Sequence, residues 1–125
     1  MVRSLSALIV SALARVEVPA ALWRKHRTAE LDAKEASFLA RFFAADLGDD
    51  GSPPRFAVVS VGRPLLEQAT GFVATHGLRA YDAVQLSSAV AARTVDPQCQ
   101  SFACFDRELR GAAATHGFRL TPEAL

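Results

Sequence analysis

The sequence has almost no excess of charge of either sign. Fourteen Lys and Arg stand against 13 Asp and Glu, a formal net charge of +1. That balance excludes a bulk polyelectrolyte grip on nucleic acid or on an anionic surface, so any such contact has to come from a local patch. Long hydrophobic runs are also missing. None reaches the roughly 20 residues needed to cross a bilayer. The start, Met1–Val10, loosely suggests a secretory leader. Its charged region is a single Arg, however, and its apolar run flows into an amphipathic pattern, so the sequence argues against a leader. Only two cysteines occur, Cys99 and Cys104. They lack metal-ligand spacing, Cys104 falls in an expected buried strand, and reduced thiols in a cytoplasmic protein are the expectation. There is no internal repeat, low-complexity tract or linker. No phosphate-cradling glycine loop, Ser-His-Asp arrangement or metal-spaced pair of histidines is found. His26, His76 and His116 each sit near an expected helix end, where capping is a better use for them than ligation.

The sequence is nonetheless rich in core-forming residues. Half of the 125 residues are hydrophobic and eight are Phe, enough for one globular domain with its own core. Leu8-Ile9-Val10 reads as a strand, with Ser11 able to cap the helix after it. Ala12 to about Arg27 is helical, with Leu13, Val16, Ala20 and Trp23 on one face and Pro19 predicting a kink or a late start. The basic cluster Arg24-Lys25-His26-Arg27 suits a helix C-terminus. Asp32 and Glu35 spell a capping box for a helix running to about Leu47, with Phe38, Leu39, Phe42 and Phe43 facing inward. Gly48–Pro54 is a surface loop whose adjacent acids, Asp49 and Asp50, read as turn residues. Phe56–Val61 is a continuous apolar strand, as when both faces are covered. Pro64 fits the first turn of a helix ending near His76. Ser101–Phe105 is a second apolar strand ending at Asp106, where a helix opens and runs to near Gly117. Phe118–Leu120 is a last short strand. Strands alternating with helices predict an α/β fold with a mainly parallel sheet covered by helices. In such sheets ligands bind beyond the carboxyl ends of the strands.

The chain is organised around Gly77–Val90. Gly77 signals a turn, and the helix beyond it, to about Arg93, has almost no polar face. Asp82 lies in its first turn and heads a stripe continued by Leu86, Ala89 and Arg93. A carboxylate among apolar neighbours requires a cation, a donor or a helix N-terminus to compensate it. Two more acids are similarly placed. Glu17 has Leu13, Ala14, Ala20 and Ala21 as its helical neighbours, and Asp106 ends a core strand. Singly, each has a plain explanation: an N-cap for Asp82 and Asp106, an ion pair for Glu17. Together they suggest a carboxylate cluster whose mutual repulsion a divalent cation would relieve. Hard oxygen ligands select Mg²⁺ or Mn²⁺ over Zn²⁺. Such a centre can activate water and neutralise charge during phosphodiester cleavage.

Three stretches, Ser11–Glu17, Tyr81–Leu86 and Phe102–Leu109, resemble in order three acidic motifs of the PIN domain, in wording closest to the VapC-type toxins of toxin–antitoxin pairs. The resemblance implies a three-layer α/β/α sandwich and a Mg²⁺-dependent endoribonuclease, cytoplasmic and usually a homodimer. It also implies inhibition by a small antitoxin whose tail fills the cleft. Carried over by motif, Glu17, Asp82 and Asp106 would coordinate the metal. Apart from the resemblance, Arg79 and Arg107 lie beside the proposed acids in the sequence and are candidates for bidentate contact with a phosphate. Cys104 stands where a Ser or Thr is common. The resemblance does not extend to the family's first strand and first helix, and no acidic residue precedes Glu17, where the family has an Asp. The departure implies either a shortened single domain of this kind or an inactive relative that keeps only partner binding.

Overall fold

The computed structural model of the protein describes residues 8–124. Of the leader-like start, Met1–Val10, residues 1–7 lie outside them. In chain order the elements are β1 (Leu8–Ser11), α1 (Ala14–Arg27), α2 (Ala33–Asp46), β2 (Phe56–Val59), α3 (Arg63–His76), α4 (Ala80–Val95), β3 (Ser101–Ala103), α5 (Arg107–Thr115) and β4 (Arg119–Thr121). The fold is mixed α/β, with five helices among the described residues. The strands form two two-stranded sheets, β1 with β2 and β3 with β4. The chain divides into two compact units, Met1–Val58 and Val59–Leu125.

In the first unit the helix signals fall where local chemistry put them. Asp32 caps α2 by accepting from the Glu35 N–H at 2.7 Å, and the Glu35 carboxylate accepts from the Asp32 N–H at 2.9 Å. This reciprocal box satisfies two N–H groups that an uncapped first turn would leave without partners. Ser11 Oγ accepts from the Leu13 N–H at 3.0 Å, and α1 begins two residues later than predicted, with Pro19 inside it. Asp49 and Asp50 are turn residues as expected. Asp49 is also ion-paired to Arg15 at 2.6 Å, and Asp50 accepts from the Ser52 N–H.

The inward faces differ from the prediction. Val16 is 67% exposed and no residue of α1 is fully buried. Phe38 and Phe42 are more than half exposed, and their rings meet each other at 6.0 Å. Leu39 is exposed as well, and of the four predicted residues Phe43 faces inward, packing on Phe56 of β2 in an unbroken stripe at helical spacing with Ala36, Ala40 and Leu47. A helix this apolar offers two stripes. The small alanines let the second one approach its neighbours more closely than the Phe38–Phe42 side could. Strand β2 is shorter than predicted, and Ala57 and Val58 are exposed instead of covered on both faces, in keeping with a strand in a sheet of two.

The second unit holds a well-defined core. Ala69 of α3, Ala83 and Leu86 of α4, Leu109, Ala112 and Ala113 of α5, and Phe118 are buried together. Pro64 lies in the first turn of α3, as predicted. Gly77 closes that helix in the left-handed conformation, φ +66°, its N–H donating to the Val73 carbonyl. A side chain with a Cβ resists that geometry, so the glycine sets the turn into α4. Buried Ser87 of α4 sits 2.8 Å from both the Leu65 carbonyl and the Gln68 side-chain amide, tying α4 to α3. Strands β3 and β4 pair in parallel, Phe102 opposite Leu120. Strand β3 ends at Ala103, two residues earlier than predicted, and Phe105 is 76% exposed.

Candidate functional site

The second unit brings two of the three acids together. Asp82 is in the first turn of α4, and Asp106 lies just past β3 at the N-cap of α5. Arg79, at the N-cap of α4, stands between them. Its Nη2 is 3.6 Å from Asp82 Oδ2 and 3.6 Å from Asp106 Oδ2. The two carboxylate oxygens are therefore at most twice that distance apart. Two negative groups from different elements share one positive group.

Local structure explains each placement. Leu78, buried beside Gly77, anchors the turn and fixes where α4 begins. Asp82 then falls in the first turn of α4, the end of the helix dipole that favours an anion. Its carboxylate is only 14% exposed. The helix N-terminus and Arg79 thus supply the compensation its apolar setting requires. The predicted N-cap role for Asp82 is corrected, because that position belongs to Arg79 and Asp82 lies three residues further on. The N-cap role predicted for Asp106 holds. Its Oδ1 accepts from the Leu109 N–H at 2.9 Å, which leaves Oδ2 directed at Arg79.

Two further residues shape the surroundings of Asp106, of which the sequence reading missed Arg110. Arg110 of α5 is only 7% exposed, with Nη1 donating to the Cys104 carbonyl at 3.0 Å and Nη2 to the Glu123 carbonyl at 3.2 Å. It pins the segment between β3 and α5. Its position four residues after Asp106, on the helix face shared with Leu109 and Ala113, was the available signal. Cys104 is the second. Burial foremost pushes its thiol above the ordinary range, against the pull of the Asp106 backbone hydrogen bond and of the Arg110 charge, and the negative charges of Asp106 and Asp82 add to the rise. The thiol is neutral and its Sγ lies 3.6 Å from the Asp106 carbonyl, a weak donor rather than a nucleophile or a ligand.

Glu17 belongs to the first unit, in the first turn of α1, and is exposed; its predicted apolar neighbours do not enclose it. Arg107 is the first residue of α5 and is exposed. Neither joins an ion pair among the described residues. Among the described residues, no group of three or more His, Cys, Asp or Glu side chains is gathered as a metal cage would require. The donor chemistry of Asp82 Oδ2 and Asp106 Oδ2 suits a hard cation that keeps most of its water, since Mg²⁺ is commonly held by only one or two carboxylates.

The histidines also form a constellation that spacing alone did not reveal. His76, ending α3, and His116, capping α5, meet Nε2 to Nε2 at 3.0 Å, with Phe72 against both rings. His26 lies in the last turn of α1, as predicted, but its Nδ1 is 3.1 Å from the Leu31 carbonyl beyond the helix and not at one of the helix's own last carbonyls.

No protein-family model matches the chain, and no curated protein matches it.

Proposed function

We propose that the protein is a Mg²⁺- or Mn²⁺-dependent endoribonuclease of the PIN type, the toxin of a toxin–antitoxin pair. What supports the reading is the convergence of Asp82 and Asp106, the two acids of the second and third motifs, on a single guanidinium. The three-layer α/β/α sandwich, the homodimer, the small antitoxin and the cytoplasmic setting belong to the same proposal and rest on the motif resemblance. No helix of the described residues is long and apolar enough to cross a membrane, in keeping with an RNA-directed role.

On this reading Asp82 and Asp106 would hold the cation, and Arg79 and Arg107 would meet phosphate oxygens, for which the guanidinium fork is well matched. When bound, the cation supplies an activated water and neutralises charge at the phosphodiester. Helix α4 presents the positive end of its dipole to the Asp82 carboxylate, and the Asp106 cap fixes the orientation of the second carboxylate. Glu17 enters as the acid of the first matched motif. The proposal stands on Asp82 and Asp106 alone.

Cleavage of RNA by the tag-free chain in Mg²⁺, compared with Asp82→Asn and with chelator, tests the reading. Turnover should fall at least about 100-fold in the variant, the upper end of what losing even an outer-shell partner of a metal costs. Equal cleavage by both proteins would reject the proposal. A second reading is favoured by the exposure of Glu17, the acid of the first matched motif, which the apolar face predicted for it does not enclose: a catalytically inactive PIN-like module that retains antitoxin or partner binding. Mg²⁺-dependent turnover by the chain as it stands excludes this alternative.

A further inference from the structure

We propose that Arg79 is a displaceable internal counter-ion of the acid pair, occupying the charge position that a divalent cation takes over. This inference rests on the cation-binding reading of Asp82 and Asp106. Three observations carry it. First, Arg79 is the shared partner: the same nitrogen, Nη2, lies 3.6 Å from an oxygen of each carboxylate. That distance is an ion pair but too long for a formed hydrogen bond, so the guanidinium is held by charge and not by directional bonds. Second, its side chain is 81% exposed whereas that of Asp82 is 14% exposed, so the arginine can leave into water and the aspartate cannot. Third, Arg79 is at the N-cap of α4, the end of the dipole that repels a positive charge. Little besides the two carboxylates favours its position there.

The consequence is competition. Without a cation, Arg79 relieves the repulsion between Asp82 and Asp106. With a dication at the two carboxylates, Arg79 would face a like charge and would leave for the solvent to which it is already exposed. Its five N–H donors become available to a phosphate only after the cation has entered. The site would thus couple its phosphate contact to cation loading through one side chain.

The test is Mn²⁺ binding to the tag-free full chain, read by the electron paramagnetic resonance signal of free Mn²⁺ and by calorimetry. The proteins compared are wild type, Arg79→Gln and, as a control for losing one positive charge elsewhere in the same unit, Arg63→Gln. Arg63 is an exposed partner of Glu67. Arg79→Gln should bind Mn²⁺ about three- to tenfold tighter, the scale of two weak exposed ion pairs that no longer have to be broken. Arg63→Gln should stay within about twofold of wild type. The gap should narrow near 1 M salt, where screening acts within about 3 Å. Mn²⁺ affinity in Arg79→Gln that equals or falls below wild type overturns this inference and leaves the cation reading standing. Absence of a Mn²⁺ site in all three proteins, each shown folded by circular dichroism, overturns the cation reading and this inference with it.

Discussion

Asp106 carries two duties that substitution can separate. Its Oδ1 caps α5 through the Leu109 N–H, while its Oδ2 faces Arg79. Asn caps a helix about as well as Asp does, whereas Ala cannot cap. Asp106→Asn should therefore keep the urea midpoint close to wild type, and Asp106→Ala should lose about 1 kcal/mol of stability. Both should abolish Mg²⁺-dependent RNA cleavage, because neither retains the second carboxylate. An Asn variant that cleaves like wild type would reduce Asp106 to a cap. Asp82 has no comparable structural duty to its helix, since Arg79 holds the N-cap. Asp82→Asn should accordingly be close to neutral in stability and severe in activity, and chemical denaturation measured beside the cleavage assay separates the two effects.

At the scale of elements, α4 is the member on which the second unit depends. Leu86 is fully buried in the core that α4 shares with α3 and α5, so Leu86→Ala should cost about 2–5 kcal/mol in urea unfolding, the range for a leucine deleted from a core that only partly collapses. The helix ends supply a pH dependence of their own. The His76–His116 contact requires one ring to donate and the other to accept, so it forms only while at least one ring is neutral. Burial foremost, then the nearby His76 and Arg93, hold the His116 pKa below its ordinary value of 6.5. A group whose pKa is lowered by folding binds fewer protons in the native state than in the unfolded state. Its contribution to stability is present above pH 6.5 and is lost as the pH falls below it through the native value. Stability should therefore drop on acidification below about pH 6.5 in the wild type, and this part of the drop should vanish in His116→Gln. Parallel unfolding curves for the two proteins from about pH 7.5 to about pH 5 would show that the pair is not coupled to folding.

Local signals made the helix boundaries legible in the sequence. Asp32 with Glu35, Pro64, Gly77 and Asp106 each act within four residues, and the chain obeyed them. What the sequence concealed is tertiary. Phe38 and Phe42 read as inward-facing because they are large and apolar, yet the neighbouring alanine-lined stripe packs more closely. His76 and His116 lie in different helices far apart in the chain, and no spacing rule brings them together. The acid pair was half legible. Asp82 announced itself by its apolar neighbours and Asp106 by its strand end, but the sequence could not reveal that Arg79 would stand between them.

For the molecule as a whole, near-neutrality limits how the proposed RNA substrate could be held. With a net charge of +1, binding cannot rest on a broad basic face. The densest basic cluster in the sequence, Arg24-Lys25-His26-Arg27, lies in the last turn of α1, where cations complement the helix dipole, and Lys25 is also paired to Glu30. That leaves Arg79 and Arg107 as the phosphate contacts of the proposed site. Each phosphate neutralised on a single strand contributes about −0.7 to the slope of log affinity against log salt. Two such contacts predict a slope of about −1.4, far shallower than that of a protein wrapped along a phosphate backbone. Fluorescence anisotropy of a short labelled RNA, titrated in Ca²⁺ to suppress turnover across a range of KCl concentrations, measures it. Replacing Arg24, Lys25 and Arg27 together by Gln should change the affinity less than about twofold. A slope of about −4 or steeper, or its collapse in that triple variant, would move the RNA surface from the Asp82–Asp106 pair to the end of α1.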